Sequence, residues 1–248
     1  MADHRLFVRD LTVAYRRVPA IHHVGLEIAC GHCVGLLGPN GAGKTSFLKA
    51  LVGLLPLETG SVELHGHPGK AGRNAIAYLP QRRQVDWDFP ITVRGLVEMG
   101  RYQALGPWRR FGEQDRRAVE HSLAEMELAN LSERQISALS GGQQQRAFLA
   151  RSLAQEAHVF LLDEPFTGLD RPSQQVLVQI IHKLASSGHL VIASHHDLKS
   201  VPDLFDEVIF LNGELIAYGP TATVFNKQNV ERTFGTPPFA GEGSRHGW

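Results

Sequence analysis

With 248 residues, 43% of them apolar, the chain can bury one substantial core, which excludes a small module stapled by disulfides or metal. Lys plus Arg and Asp plus Glu both number 25, so no overall field draws in nucleic acid or an anionic membrane surface. Asp3, His4 and Arg5 open no signal-peptide pattern, and no apolar run reaches the ~18 residues of a membrane-spanning helix, so any crossing of a bilayer falls to another subunit.

From Leu6 to Ile28 apolar and polar residues alternate, as in half-buried antiparallel strands. Cys30 and Cys33 then form a C-x-x-C. No second pair follows, and Cys33 opens an apolar run, so small core or turn residues are the better reading than a redox pair or half a zinc site. So few cysteines also fit a reducing compartment. Val34 to Leu37 reads as a short buried strand, followed by a glycine-rich turn and a helix carrying Phe47, Leu48, Leu51 and Leu55. Further strands are expected at Ser61–Leu64 and Ala75–Leu79. His65-Gly66-His67 lies between them in a predicted turn, which reads as solvated rather than metal-binding.

The middle third is more polar and helical: Val119, Leu123 and Met126 fall on one face of an amphipathic helix. Beyond Ser140 the α/β pattern returns. A helix through Ala147, Ala150 and Leu153 leads to a buried strand at Val159–Leu162, and a helix carrying Val176, Leu177, Ile180, Ile181 and Leu184 leads to a strand at Leu190–Ala193. Gly188 stands where a helix-terminating glycine belongs. Glu207–Leu211 and Glu214–Tyr218 flank Asn212-Gly213, the pattern of a hairpin with a type I′ turn. Residues after about Phe234 are rich in Gly and Pro and read as a mobile tail.

Gly38-Pro39-Asn40-Gly41-Ala42-Gly43-Lys44-Thr45, with Ser46 next, matches G-x-x-x-x-G-K-[ST] between a predicted strand and a predicted helix, the context a P-loop requires. Its glycines let backbone N–H groups turn onto phosphate oxygens, and the helix start adds partial positive charge. Lys44 is expected on the β- and γ-phosphates and the Thr45 hydroxyl on Mg²⁺. Val159 to Leu162 ends in Asp163 and Glu164, which a parallel sheet would present at its carboxyl edge. Alone, two such acids could be a solvated strand end. Beside a P-loop, Asp163 is suited to hold Mg²⁺ and Glu164 to polarise the attacking water.

Leu139-Ser140-Gly141-Gly142-Gln143 precedes that strand, and with it the chain resembles the nucleotide-binding subunits of ABC transporters, whose signature is LSGGQ. The resemblance runs from Leu6 to about Phe234. It implies an α/β fold: a P-loop NTPase core with an antiparallel β subdomain and a helical subdomain inserted at about 88–150, the ATPase domain spanning 1–234 and the tail 235–248. It also implies ATP and Mg²⁺ as cofactors. Tyr15 corresponds to the aromatic that stacks on adenine, although a strand tyrosine also suits a core. Gln81 corresponds to the glutamine that joins the Mg²⁺ shell and senses the permease, and Gly168-Leu169-Asp170 to the loop at the dimer seam. Ser140 to Gln143 would close on ATP held by a second copy. In Ser194-His195-His196-Asp197-Leu198 the family pattern selects His196 as the switch histidine, with His195 as its competitor.

Tyr78-Leu79-Pro80-Gln81, Val85 to Val93, Met99-Gly100-Arg101-Tyr102, Arg134-Gln135 and the paired histidines resemble the ATPases of manganese, zinc and iron importers. Such a subunit would sit on the cytoplasmic face of the plasma membrane beneath a separate integral permease. An extracytoplasmic metal-binding protein would be an indirect partner, and no nucleic acid would be involved. Trp87, Phe89 and Trp108 could line a groove for a permease helix or simply pack the helical subdomain. A soluble ABC ATPase without a membrane partner is the alternative, and the chain carries one of each motif rather than two fused cassettes.

Overall fold

The N-terminal alternation folds into two long strands, β1 (Arg5–Tyr15) and β2 (Val18–Ala29), paired antiparallel from Arg5↔Ala29 to Tyr15↔Val18. A computed structural model describes residues 5–15, 18–69, 72, 74–105 and 109–235. Trp108 and the expected tail from residue 236 lie outside these residues.

β1 also pairs with β4 (Thr59–Leu64), and β4 with β5 (His67–Pro68), giving a four-stranded antiparallel sheet in the order β2-β1-β4-β5. A six-stranded sheet runs β10-β9-β3-β8-β7-β6. Its members are β3 (Cys33–Leu37), β6 (Ile76–Leu79), β7 (Val159–Leu162), β8 (Leu190–His195), β9 (Glu207–Asn212) and β10 (Glu214–Pro220). All pairings are parallel except that of β10. β3, β7 and β8 are buried at every position, as expected of parallel strands covered on both faces.

Side-chain alternation along these strands feeds two cores. Val159 and Leu161 of β7 join Leu6, Val8 and Ile28 of the antiparallel sheet and Phe47, Leu48 and Leu51 of helix α1 (Lys44–Leu51). Phe160 and Leu162 face the other way, into a core shared with helices α2 (Val93–Glu98), α3 (Glu113–Glu125), α4 (Gly141–Ala154) and α5 (Arg171–Ser186). Val119, Leu123 and Met126 are at most 1% exposed, as their spacing predicts. A buried ion cluster ties this helical part together. Arg101 donates from Nε to Asp115 at 3.0 Å and from Nη1 to the Ala154 carbonyl at 2.7 Å, and Arg109 reaches the same Asp115 oxygen at 2.6 Å.

Two turns trade the expected roles. Asn212 stays in the strand and only Gly213 has positive φ, 74°, so the hairpin between β9 and β10 is not type I′. Contacts hold it that way: Gly213 N donates to Ala42 O at 3.0 Å, His22 N donates to Gly213 O at 2.8 Å, and the Asn212 amide donates to the Thr233 carbonyl. The two-residue turn with positive φ at both central positions is instead His65-Gly66, at 53° and 74°, joining β4 to β5. His65 meets the His158 ring edge-on at 5.0 Å, so it is half-buried rather than solvated. No cluster of three metal-ligating side chains occurs among the described residues.

Candidate functional site

β3 delivers the chain into the Gly38–Thr45 loop, and the glycines are fixed by what surrounds them. A methyl on Gly38 would stand 2.1 Å from the Leu211 carbonyl oxygen. Gly43, at φ 90°, would place one 2.4 Å from the Ile21 side chain. Gly43 is also the N-cap of α1 and makes no side-chain cap hydrogen bond, so the helix start carries its partial positive charge at the loop without a capping side chain. The Lys44 ammonium folds over the loop and donates to Gly38 O at 2.7 Å and Pro39 O at 2.9 Å. Burial pushes its pKa down, while Glu164 and Asp163 pull it back up. A cation held by two neutral carbonyls in a buried position is poised to exchange them for phosphate oxygens.

Behind the loop the parallel sheet gathers residues far apart in sequence. The Thr45 hydroxyl donates to Asp163 Oδ2 at 2.7 Å, and Tyr78 OH approaches the same oxygen at 3.3 Å. Ser194 Oγ donates to Asp163 Oδ1 at 2.8 Å and accepts from the Glu164 N–H at 2.8 Å. Ser194 and Tyr78 went unrecognised from sequence. The one available signal was a small polar residue closing the apolar run Leu190–Ala193. Asp163 is 1% exposed, so its carboxylate is oriented by hydroxyls rather than by water.

Glu164 has φ 50°, a left-handed conformation costing a non-glycine residue ~1–3 kcal/mol. The Ser194 bond holds that backbone, and the Glu164 carboxylate accepts from Thr167 Oγ1 at 3.2 Å. It faces a cavity of about 460 Å³ shared with Gln81, Arg82, Arg83, Trp87 and Gly168. Gln81 Oε1 accepts from Arg83 Nε at 3.3 Å.

The adjacent histidines part company. His195 is 7% exposed, its Nε2 lies 2.8 Å from Ser200 Oγ, and its ring meets Phe166 and Phe205 edge-on. Burial pushes its pKa down, which keeps the ring neutral. His196 is exposed, and both histidines line, with Thr167, Gly168 and Asp197, a cavity of about 1100 Å³.

Ser140 caps α4 reciprocally: Gln143 N donates to Ser140 Oγ at 3.4 Å and Ser140 N donates to Gln143 Oε1 at 3.0 Å. Methyls on Gly141 and Gly142 would meet Arg82, Leu169 and Ser173 rather than the P-loop; that on Gly142 would stand 2.7 Å from Ser173 Cβ. Asp170 caps α5, accepting from Ser173 N at 3.0 Å, and hydrogen bonding from the Ser173 hydroxyl, then from its N–H, lowers its pKa. Two helix starts therefore lie side by side at an exposed face. Tyr15 closes β1, and its side chain lies outside the described residues.

The donor set fits a nucleotide with Mg²⁺. Thr45 and Asp163 offer a hydroxyl and a carboxylate oxygen 2.7 Å apart, hard donors suited to magnesium together with phosphate oxygens and water.

Comparison with known proteins bears on the same residues. The ABC transporter family model matches residues 21–167. The chain is 43% identical over 233 residues to the manganese transport system ATP-binding protein MntB of Listeria innocua, covering 94% of this chain and 97% of that one. It is also 43% identical over 228 residues to the zinc transport system ATP-binding protein TroB of Treponema pallidum, covering 92% and 86%. An inward-facing ABC transporter described as of metal-chelate type superposes with a TM-score of 0.82 at 26% identity, covering 95% of this chain and 90% of that one. An α/β core fed by a P-loop strand, an antiparallel sheet, a helical part and this agreement over nearly the whole chain lead to one conclusion: the chain belongs to the ABC transporter family and is one of its ATP-hydrolysing subunits.

Proposed function

We propose that the chain powers uptake of a divalent transition metal, manganese, zinc or iron, through a separate membrane permease, working as a head-to-tail homodimer on the cytoplasmic face of the membrane. The carrying observation is the cluster of Thr45, Asp163, Ser194 and Glu164 behind a complete P-loop, in a chain 43% identical to manganese and zinc transport ATP-binding proteins. Residues 1–234 form the ATPase domain, with the helical part at about 88–150.

In this reading the Gly38–Thr45 N–H groups, the Ser46 turn and Lys44 bind the phosphates, while Tyr15 supports the adenine. Magnesium, when bound, neutralises charge on the phosphate oxygens. Thr45 and Asp163 would hold it, with Gln81 as a further oxygen ligand. Glu164 orients the attacking water and takes its proton, and His196 contacts the terminal phosphate from the other cavity. Ser140 to Gln143 of the second copy supplies a helix start to the same phosphate, so each site is composite. Asp170 lies at the seam. Substrate choice belongs to the permease and its extracytoplasmic metal-binding protein. The test is co-reconstitution with the permease in vesicles: ATP-dependent accumulation of manganese, zinc or iron is expected, and turnover without accumulation of any of the three would reject metal import.

A further inference from the structure

Gln81 is followed by an arginine that no part of this mechanism uses. Arg82 donates twice to Gln144 Oε1, from Nη2 at 2.9 Å and from Nε at 3.3 Å. Gln144 lies in the first turns of α4, is 4% exposed, and donates its own amide to the Ile136 carbonyl at 3.1 Å. Four residues on, Phe148 meets the Trp87 ring edge-on at 5.3 Å. Trp87 Nε1 in turn donates to the Arg82 carbonyl at 2.7 Å, and the Arg82 guanidinium lies 5.8 Å over the Trp87 ring. Residues i and i+4 share a helix face, so the Arg82–Trp87 segment grips one side of α4 at two successive turns. The guanidinium carbon also lies 3.3 Å from where a methyl on Gly141 would stand.

A forked, planar donor sets an angle as well as a distance, which a lysine ammonium cannot do. Turning α4 away from this segment would break both bonds and leave the buried Gln144 oxygen without its donor. We infer that Arg82 is a positioning residue that fixes the Ser140–Gln143 helix start relative to Gln81, so that displacement of one segment carries the other. This rests on the composite ATP site proposed above. It adds a rigid link between the glutamine segment and the half-site offered to the second copy.

The test uses the full chain, with ATP affinity, turnover at saturating ATP and melting temperature measured side by side. Arg82→Ala is expected to lower kcat about 10-fold while leaving ATP affinity near wild type, because the P-loop is untouched. Arg82→Lys should recover only part of the loss. Gln144→Ala should match Arg82→Ala, and the double variant should fall little further, because both changes break one connection. Wild-type turnover in Arg82→Ala, or losses that multiply in the double variant, overturns the inference. If Arg82→Ala melts early, Arg82→Lys decides: full turnover at wild-type stability overturns it, and reduced turnover supports it. Ser140→Ala and Glu164→Gln serve as controls. Normal turnover in both removes the composite site itself, whereas their failure beside an unimpaired Arg82→Ala removes only the role of Arg82.

Discussion

Asp163 collects hydroxyl groups from three different elements, Thr45 of α1, Tyr78 of β6 and Ser194 of β8. Ser194 is the most consequential of these, because it also accepts from the strained Glu164 backbone. Ser194→Ala should leave two buried polar groups short of a partner, at a cost of about 2 kcal/mol. A chain of this size would then melt about 4–8 °C lower, and turnover should fall with it. An unchanged calorimetric transition would show that the hydroxyl is dispensable. Lys44→Ala removes the ammonium that donates to the Gly38 and Pro39 carbonyls of the loop, and ATP affinity should drop roughly 10- to 100-fold in a binding titration. Glu164→Gln keeps the shape of the side chain but cannot accept a proton, so phosphate release should fall about 100-fold or more. Normal steady-state hydrolysis would refute the role given to Glu164.

At the scale of elements, the start of α4 is built to be offered outward. Its capping box satisfies the first N–H groups only in part, and Gly142 is needed because a methyl there would collide with Ser173 at the start of α5. Ser140→Ala should cost about 1 kcal/mol of helix stability, shifting melting only a few degrees, yet it should depress turnover much more. Equal, small effects on both would reduce the serine to a cap. Asp115 links the Met99–Leu105 segment to the far end of α4 through Arg101, both residues being at most 2% exposed. Asp115→Ala would leave the buried Arg101 guanidinium with the exposed Glu156 carboxylate at 3.1 Å and the Ala154 carbonyl, costing about 3 kcal/mol, so a drop in urea midpoint is expected.

For the whole molecule, His195 supplies a pH dependence whose sign is fixed by burial. Its folded pKa is pushed below the ordinary value, so the unfolded chain binds the proton first. Stability is therefore fully present above about pH 6.5 and is lost as pH falls toward the lower folded value. His189, lowered by burial and by its neighbour His158, adds to the same trend. Melting temperatures between pH 7.5 and 5.5 should decline, and His195→Gln should flatten part of the slope. Glu164→Gln with ATP and magnesium should also elute as a dimer in gel filtration. A monomer at saturating nucleotide would count against the composite site.

The sequence by itself determined whatever depends on neighbours within one short segment. The P-loop glycines and lysine, the acidic pair ending an apolar strand, the serine cap of α4 and the helical face of Val119, Leu123 and Met126 are all of that kind. Only the tertiary structure decided what depends on strands adjacent in space but distant in the chain. Thr45 and Asp163 stand 118 positions apart, and Ser194 reaches Asp163 across 31. The same packing buries His195 between Phe166 and Phe205 while leaving His196 exposed, brings Arg82 onto Gln144, and places the tight two-glycine-like turn at His65-Gly66. Alternation and helical periodicity record which side of an element is buried, but parallel pairing through long crossovers chooses its neighbours, and no local pattern encodes that choice.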